Sequence, residues 1–326
     1  MVYIKAIEKE VFPYFLRPKK NELFTSWLCR LSINHNIKPQ SFVLNYFGRN
    51  YPIWNRDIDM TPQSSLIHKI VNHTPLKVTE IKNLFLFSYE SYAYEIVARN
   101  GANTENILPL GINHRKRKRF GLQFCYKCLN NDAYYKKEWR LITSIVCVKC
   151  KVFLQDRCQK CKKPISFHRI NIGNNLSIME FKPLKLCSYC DSDLSMQEAK
   201  EVPGSLEVEY QKYIDSTIKN GYNELTHYSF TYISTLSLLA KKLRYKSPKN
   251  RFRKAIQKEF NENFPATKVE FKFWSTKERI SCLPFSYSLL RDMGQLKHLI
   301  NKQRVSRSYL DQENTLPFWF LDKIYY

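Results

Sequence analysis

Eight of the ten cysteines fall into four Cys-x-x-Cys pairs within a 66-residue stretch: Cys125-Tyr-Lys-Cys128, Cys147-Val-Lys-Cys150, Cys158-Gln-Lys-Cys161 and Cys187-Ser-Tyr-Cys190. Two residues between thiols let a tight turn aim both sulfurs at one tetrahedral ion, and two such turns close a four-sulfur shell. Eighteen residues separate Cys128 from Cys147, inside the usual ribbon spacing, and 25 separate Cys161 from Cys187, slightly beyond it. Sequential pairing places Cys125, Cys128, Cys147 and Cys150 at one site and Cys158, Cys161, Cys187 and Cys190 at another. The seven-residue gap from Cys150 to Cys158 leaves an interleaved pairing open. The expected cofactor is Zn2+, as two structural ions. A full thiolate shell has no position for water, so the metal is expected to fold a segment with little core of its own. No βαβ pattern surrounds any pair, which argues against thioredoxin-like chemistry. Cys29 and Cys282 stand alone among apolar residues and read as small core side chains.

Paired thiols mean metal only where cysteines stay reduced. The stretch Met1-Val-Tyr-Ile-Lys-Ala-Ile-Glu-Lys-Glu10 has scattered charges and no long apolar run, so no signal peptide is expected there. No window approaches ~18 uninterrupted apolar residues, and the densest apolar segment, 84–94, is short and carries Glu90. The expectation is a cytoplasmic chain with no membrane span. Its 53 Lys and Arg against 29 Asp and Glu leave a formal charge of +24, a field that attracts polyanions, nucleic acid above all. An AT-rich coding sequence accounts for part of the lysine excess, less well for the clustered arginines. With 44% hydrophobic and 14% aromatic residues the chain has apolar surface for real cores, and 326 residues suit two or three small domains.

The expected fold is mainly α, in three zones. Residues 1–112 read as an N-terminal helical, helix-turn-helix-like domain. Leu23, Trp27, Leu28 and Leu31 share one helical face, Pro39 opens a second helix through Tyr46, and Gly48 stops it. A helix over 64–72 carries Leu66, Ile67, Ile70 and Val71; Thr74-Pro75 breaks it, and Thr79 is the expected N-cap of a helix through Ile81, Leu84 and Phe85. Two short helices across a tight break outline a helix-turn-helix. Residues 113–195 form a double zinc-ribbon or zinc-finger module. The module opens with Arg115, Lys116, Arg117, Lys118 and Arg119, read as a phosphate-contacting arm rather than a solvated linker. Residues 196–326 read as a C-terminal helical domain. It has helices over 206–218 and 232–243, another starting at Ser247-Pro248 and running to Phe260, and punctuation at Pro265, Pro284 and Pro317. No motif in this last zone speaks to function.

Between the knuckles of the first site, Trp139 reads as ribbon packing, while Tyr134 and Tyr135 suit either packing or base stacking. Arg140 either pairs with a carboxylate or contacts phosphate, and it joins the candidate nucleic-acid residues. Two blocks then resemble a known family. Leu16-Arg17-Pro18, Glu22-Leu23, Ser26-Trp27-Leu28 and Arg30-Leu31 are similar to the opening of TniQ/TnsD proteins, the target-selection subunits of transposons. The run Cys125-x-x-Cys128-Leu129, Asp132, Tyr134-Tyr135, Trp139-Arg140-Leu141, Val146-Cys147, Leu154 and Cys158-x-x-Cys161 is similar to that family's zinc region, the Trp-Arg-Leu block being its most specific part. Many members carry Cys-Pro-x-His where this chain has Cys147-Val-Lys-Cys150; cysteine substitutes for histidine as a ligand. The resemblance covers about residues 12–165 and does not extend past 195.

What the resemblance implies is a non-catalytic, helix-turn-helix and zinc-finger adaptor. Such a protein recognises double-stranded target DNA or a DNA-bound guide-RNA ribonucleoprotein, and hands it to a transposition AAA+ ATPase that recruits the transposase. Some members dimerise, so a second copy of the chain is a candidate partner. The implied location is the bacterial cytoplasm, at the nucleoid. A stand-alone zinc-containing DNA-binding regulator is the alternative. A third reading, a metal-dependent nuclease, needs clustered carboxylates. Asp57-x-Asp59 is the nearest candidate and reads better as a turn. No Gly-x-x-x-x-Gly-Lys-Ser/Thr and no Gly-x-Ser-x-Gly occurs, and the seven histidines make no spaced pair.

Overall fold

A computed structural model describes residues 11–98, 104–172, 181–197, 202–311 and 315–326. The segment Met1–Glu10, read above as lacking a signal peptide, lies outside the described residues. Among the described residues the first helices are α1 (Phe24–Asn34), α2 (Pro39–Phe47), α3 (Ser64–His73) and α4 (Val78–Lys82). A two-stranded hairpin, β1 (Ile112–Asn113) with β2 (Lys116–Arg117), leads into α5 (Tyr126–Asn131) and a second hairpin, β3 (Val146–Cys147) with β4 (Val152–Phe153). Among the described residues there follow α6 (Ser205–Asn220), α7 (Ser229–Arg244), α8 (Arg251–Phe260), α9 (Thr276–Arg291), α10 (Met293–Lys302), α11 (Arg307–Leu310) and α12 (Phe318–Tyr325). The chain is mainly helical, as expected. No helix among the described residues is long and apolar enough to cross a membrane.

The central element is α1, buried at all but its last residue. Its apolar face brings Trp27, Leu28 and Leu31 into the core, yet no side chain caps its start. Three groups distant in sequence take the leading N–H groups instead. Leu23 donates to the Tyr135 carbonyl at 2.9 Å, Phe24 to the Leu84 carbonyl at 2.9 Å, and Thr25 to Asp59 Oδ1 at 2.9 Å. Orphan donors at a buried helix start need such partners, and a carboxylate there also suits the positive end of the helix dipole. Glu22, fully buried just ahead, accepts from the Lys19 N–H at 2.8 Å and from Ser26 Oγ at 3.0 Å, and pairs with Arg30.

Several sequence expectations shift at their edges. Thr79 lies inside α4; the helix starts from Lys77, whose N–H donates to Glu80 Oε2 at 2.8 Å, and it ends at Lys82 before Leu84 and Phe85. Helix α8 begins at Arg251 rather than at Ser247-Pro248, because Asn250 Oδ1 accepts the Arg253 N–H at 3.1 Å. Pro284 does not break the chain but sits inside α9, which starts with a reciprocal cap between Ser275 and Glu278.

The buried apolar residues form one continuous cluster through all three zones. The last zone satisfies polar groups of the middle one. Gln211 Oε1 of α6 accepts the N–H groups of Ile145 and Val146 at 2.8 and 3.1 Å, and Tyr210 Oη donates to the Thr143 carbonyl at 2.8 Å. From α9, fully buried Arg279 donates to the Ile142 carbonyl at 2.6 Å and to Gln123 Oε1 at 2.9 Å. Cys29 and Cys282 are both buried in this cluster.

Candidate metal centres and the basic hairpin

The first four-cysteine site joins a helix start to a hairpin. Cys125 precedes α5, and its Sγ accepts the Cys128 N–H at 3.4 Å. Cys147 ends β3, whose register with β4 pairs Val146 with Phe153 and Cys147 with Val152. The second site joins two loops, around Cys158–Cys161 and Cys187–Cys190. In three of the four knuckles the residue after the second cysteine adopts a left-handed conformation, at Lys151 (φ 51°), Lys162 (φ 60°) and Asp191 (φ 51°). Each turns its N–H back onto the carbonyl of the knuckle's first cysteine, at 2.8, 2.9 and 2.9 Å. That bend brings both thiols of a pair to one side; α5 does the same work for Cys125 and Cys128.

The structure brings together the two sets given by sequential pairing: the four sulfurs of each set lie within 4.8 Å of one another. Cys128 Sγ is 3.6 Å from the sulfurs of Cys147 and Cys150; Cys158 and Cys190 are 3.7 Å apart, and Cys161 and Cys187 3.6 Å. A tetrahedral thiolate site with ~2.3 Å metal–sulfur arms has edges of roughly 3.8 Å. The donor sets, all sulfur and at tetrahedral spacing, therefore fit a metal ion, and both clusters are capable of holding one.

Local electrostatics differ between the clusters. In the first, hydrogen bonds from Cys125 and Cys128 pull the Cys147 thiol down to about 2, while the bonds to Cys128 and Cys147 push Cys125 up. A dication replaces such shared protons, so metal uptake releases protons. In the second, burial opposes ionisation of Cys158, but Ser192 Oγ, the Cys161 N–H and Gln197 outweigh it and bring the thiol to about 6. Ser192 Oγ lies 3.2 and 3.3 Å from the sulfurs of Cys158 and Cys190, and Gln197 Nε2 donates to Cys158 at 3.5 Å and to Ser192 Oγ at 2.8 Å. Sequence reasoning missed both residues. Ser192 follows the last knuckle closely enough to be suspected, whereas nothing in the sequence points to Gln197.

Arg140 resolves the choice left open above. It is fully buried, and its two terminal nitrogens donate to Asp57 at 3.2 and 2.6 Å; its Nε and Nη2 reach the Leu108 carbonyl at 3.3 and 2.9 Å. Arg140 is therefore unavailable to a phosphate, which corrects its place among the nucleic-acid residues. Asp57 and Asp59 are engaged by the same network. Thr25 donates to both oxygens of Asp59, and burial and the Asp57 charge raise the Asp59 carboxyl to about 6 against the pull of Arg140. These two carboxylates are structural, and the described residues assemble no catalytic site from them.

The basic run forms the first hairpin, not an extended arm. Its register pairs Ile112 with Arg117 and Asn113 with Lys116, across a two-residue turn at His114 (φ 45°) and Arg115 (φ 61°). Positive φ at both turn residues matches the strand twist. Within β2 the side chains alternate, Lys116 outward and Arg117 inward, while Arg115 in the turn and Lys118 and Arg119 beyond the strand are exposed. Arg117 lies 4.7 Å over the Phe167 ring and donates to the Ile165 carbonyl at 3.2 Å. It is the second correction: a buried cation holding the hairpin down rather than reaching outward. Beneath the turn, His168 stacks on Trp54 at 5.1 Å and contacts the Arg115 carbonyl at 2.9 Å, its pKa pushed down to about 3 by burial and by Arg117.

Trp139 and Tyr135 pack. Tyr135 meets Trp139 edge-on at 6.1 Å and stacks on Phe167 at 4.6 Å, and its hydroxyl donates to the Leu184 carbonyl. The two blocks that carry the family resemblance touch one another. Ser26 Oγ accepts the Tyr135 N–H at 2.9 Å, the Leu23 N–H donates to the Tyr135 carbonyl at 2.9 Å, and the flanking Lys137 N–H reaches the Asn21 carbonyl at 2.8 Å; within the first block Trp27 Nε1 donates to the Leu16 carbonyl at 2.7 Å. No curated protein matches the chain. A match to the TniQ family model supports a non-catalytic adaptor role in transposition. It spans the opening block, the first four-cysteine cluster and the Trp-Arg-Leu block, and over residues 13–154 the chain matches the TniQ family.

Proposed function

We propose that the protein is the targeting adaptor of a bacterial transposition system, active in the cytoplasm at the nucleoid. It recognises double-stranded target DNA or a DNA-bound guide-RNA complex and recruits the transposition AAA+ ATPase. The observation that carries this reading is the family match over residues 13–154. The helix pair α3–α4 and the charge of +24 are in keeping with it.

The three zones, 1–112, 113–195 and 196–326, divide the work rather than the folding: target recognition, a metal-held centre, and a surface for partners, a second copy of the chain among them. Both four-cysteine clusters hold Zn2+, because all-thiolate tetrahedral shells suit it and leave the ion structural. Of the hairpin, Arg115, Lys116, Lys118 and Arg119 are the cations offered to phosphate. The test is deletion of this gene from its transposition system. Targeted insertion is expected to disappear; insertion at the same sites and the same frequency would overturn the proposal.

A further inference from the structure

Residues 246–258 contain six cations, Lys246, Lys249, Arg251, Arg253, Lys254 and Lys258, and no acidic residue. They lie in the part of the chain beyond the family match, where the sequence showed no motif. The fold gives this segment two faces. Phe252, Ala255 and Ile256 of α8 are buried against α7 and α10, while Lys246, Lys249, Arg251, Lys254 and Lys258 are exposed. Arg251, Lys254 and Lys258 form one stripe at helical spacing, ~10 Å long.

Part of this charge is engaged inside the protein, Arg251 by the Tyr309 ring and Arg253 by the Phe264 carbonyl. Among the described residues no ion pair engages Lys246, Lys249, Lys254 or Lys258. Glu259, which follows the segment in sequence, is bonded by Lys302 through both oxygens at 2.9 Å. The first turn of α8 has no acidic residue, so Arg251, Arg253 and Lys254 sit at the positive end of the helix dipole, where cations weaken a helix. The backbone around them is firmly built. Asn250 Nδ2 donates to the carbonyls of Lys242 and Tyr245 at 2.7 and 3.0 Å, Arg253 holds the Phe264 carbonyl at 2.9 Å, and Arg251 lies 4.7 Å over the Tyr309 ring. A row of cations on a firmly held backbone, with Arg251 and Lys254 at the positive end of the helix dipole, is complementary to a row of phosphates, which relieves the mutual repulsion.

We propose that the exposed face of residues 246–258 binds the phosphate backbone of duplex DNA. The exposed residues of α8 are Arg251, Lys254, Gln257, Lys258 and Glu259, none of them aromatic. Tyr309 is covered by Arg251, and Tyr245 beside the segment is half exposed. Single strands are gripped by stacking, duplexes by backbone charge. This inference rests on the reading of the protein as a nucleic-acid-directed adaptor and gives that reading a second contact surface, apart from the β1–β2 hairpin.

The experiment is filter binding of the zinc-loaded full-length protein to random-sequence duplex DNA across a salt series. Wild type is compared with Lys249→Gln/Lys254→Gln/Lys258→Gln and with the same three positions changed to Arg. The Gln variant is expected to bind about tenfold or more weakly at low salt, with the slope of log K against log salt shallower by about 2 to 3. The Arg variant keeps both. All three positions are exposed, so the melting temperature stays near the wild-type value, which separates lost contact from lost fold. Wild-type binding with the same slope in the Gln variant overturns this surface and leaves the adaptor reading standing. So does a loss confined to single-stranded RNA or to anionic vesicles. A wild type that binds no nucleic acid and no guide-RNA complex removes the adaptor reading itself.

Discussion

Arg140 and Asp57 lie 83 positions apart and meet in a buried fork. Such a pair adds little net stability over well-packed apolar residues, but removing one partner strands the other charge. Arg140→Ala is expected to destabilise the protein by about 3–5 kcal/mol in urea denaturation. Arg140→Lys should recover only part of this, because one ammonium cannot make the fork to Asp57 and also serve the Leu108 carbonyl. A variant unfolding at the wild-type midpoint would mean that water already compensates the pair. The sequence left Arg140 between carboxylate and phosphate, since composition says that a cation needs an anion and not which one. Arg117 was misjudged for a related reason: in a run of five cations no single residue is marked as the one that turns inward.

At the scale of elements, the knuckles were the most legible feature. A Cys-x-x-Cys turn is a local geometry, and only the return of each loop to its partner is not local. Their chemistry predicts an asymmetry. Cys150→His should keep the first cluster metal-binding, as imidazole nitrogen replaces sulfur in a tetrahedral shell; Cys150→Ser should lower metal content towards one ion per chain. Elemental analysis of the purified variants checks both outcomes, and two ions in the serine variant would show Cys150 to be dispensable. The helices α1, α2, α3, α6 and α7 followed from apolar spacing, although α1 is buried nearly all round rather than along one stripe. Their ends were less legible. Helix α1 has no capping side chain of its own, α4 starts through Glu80, and Pro284 is tolerated within α9, where tertiary packing outweighs a lost backbone bond.

For the whole molecule, the contacts that matter run between zones. The N–H groups of Ile145 and Val146 and the carbonyls of Ile142 and Thr143 rely on Gln211, Arg279 and Tyr210. Ending the chain after Ser195 removes all three partners and uncovers the apolar surface that α6 and α9 bury. That fragment is expected to lose its sharp unfolding transition and to bind an apolar dye. A fragment with cooperative melting would show instead that residues 1–195 fold alone, and that the continuous core is an assembly of independent parts.

The sequence by itself determined the cysteine pairs that assemble into the two clusters, the helical class and the family-like blocks. All three depend on spacing over a few residues, or on apolar periodicity that any solvent-facing helix must obey. Only the tertiary structure decided which charges are buried. It set Arg140 on Asp57 and folded Arg117 under its own hairpin. It also placed Ser192 and Gln197 against Cys158 and left the cations of residues 246–258 facing water. A charge responds to whatever the fold brings within a few ångströms, and that neighbourhood is assembled from residues far apart in the chain.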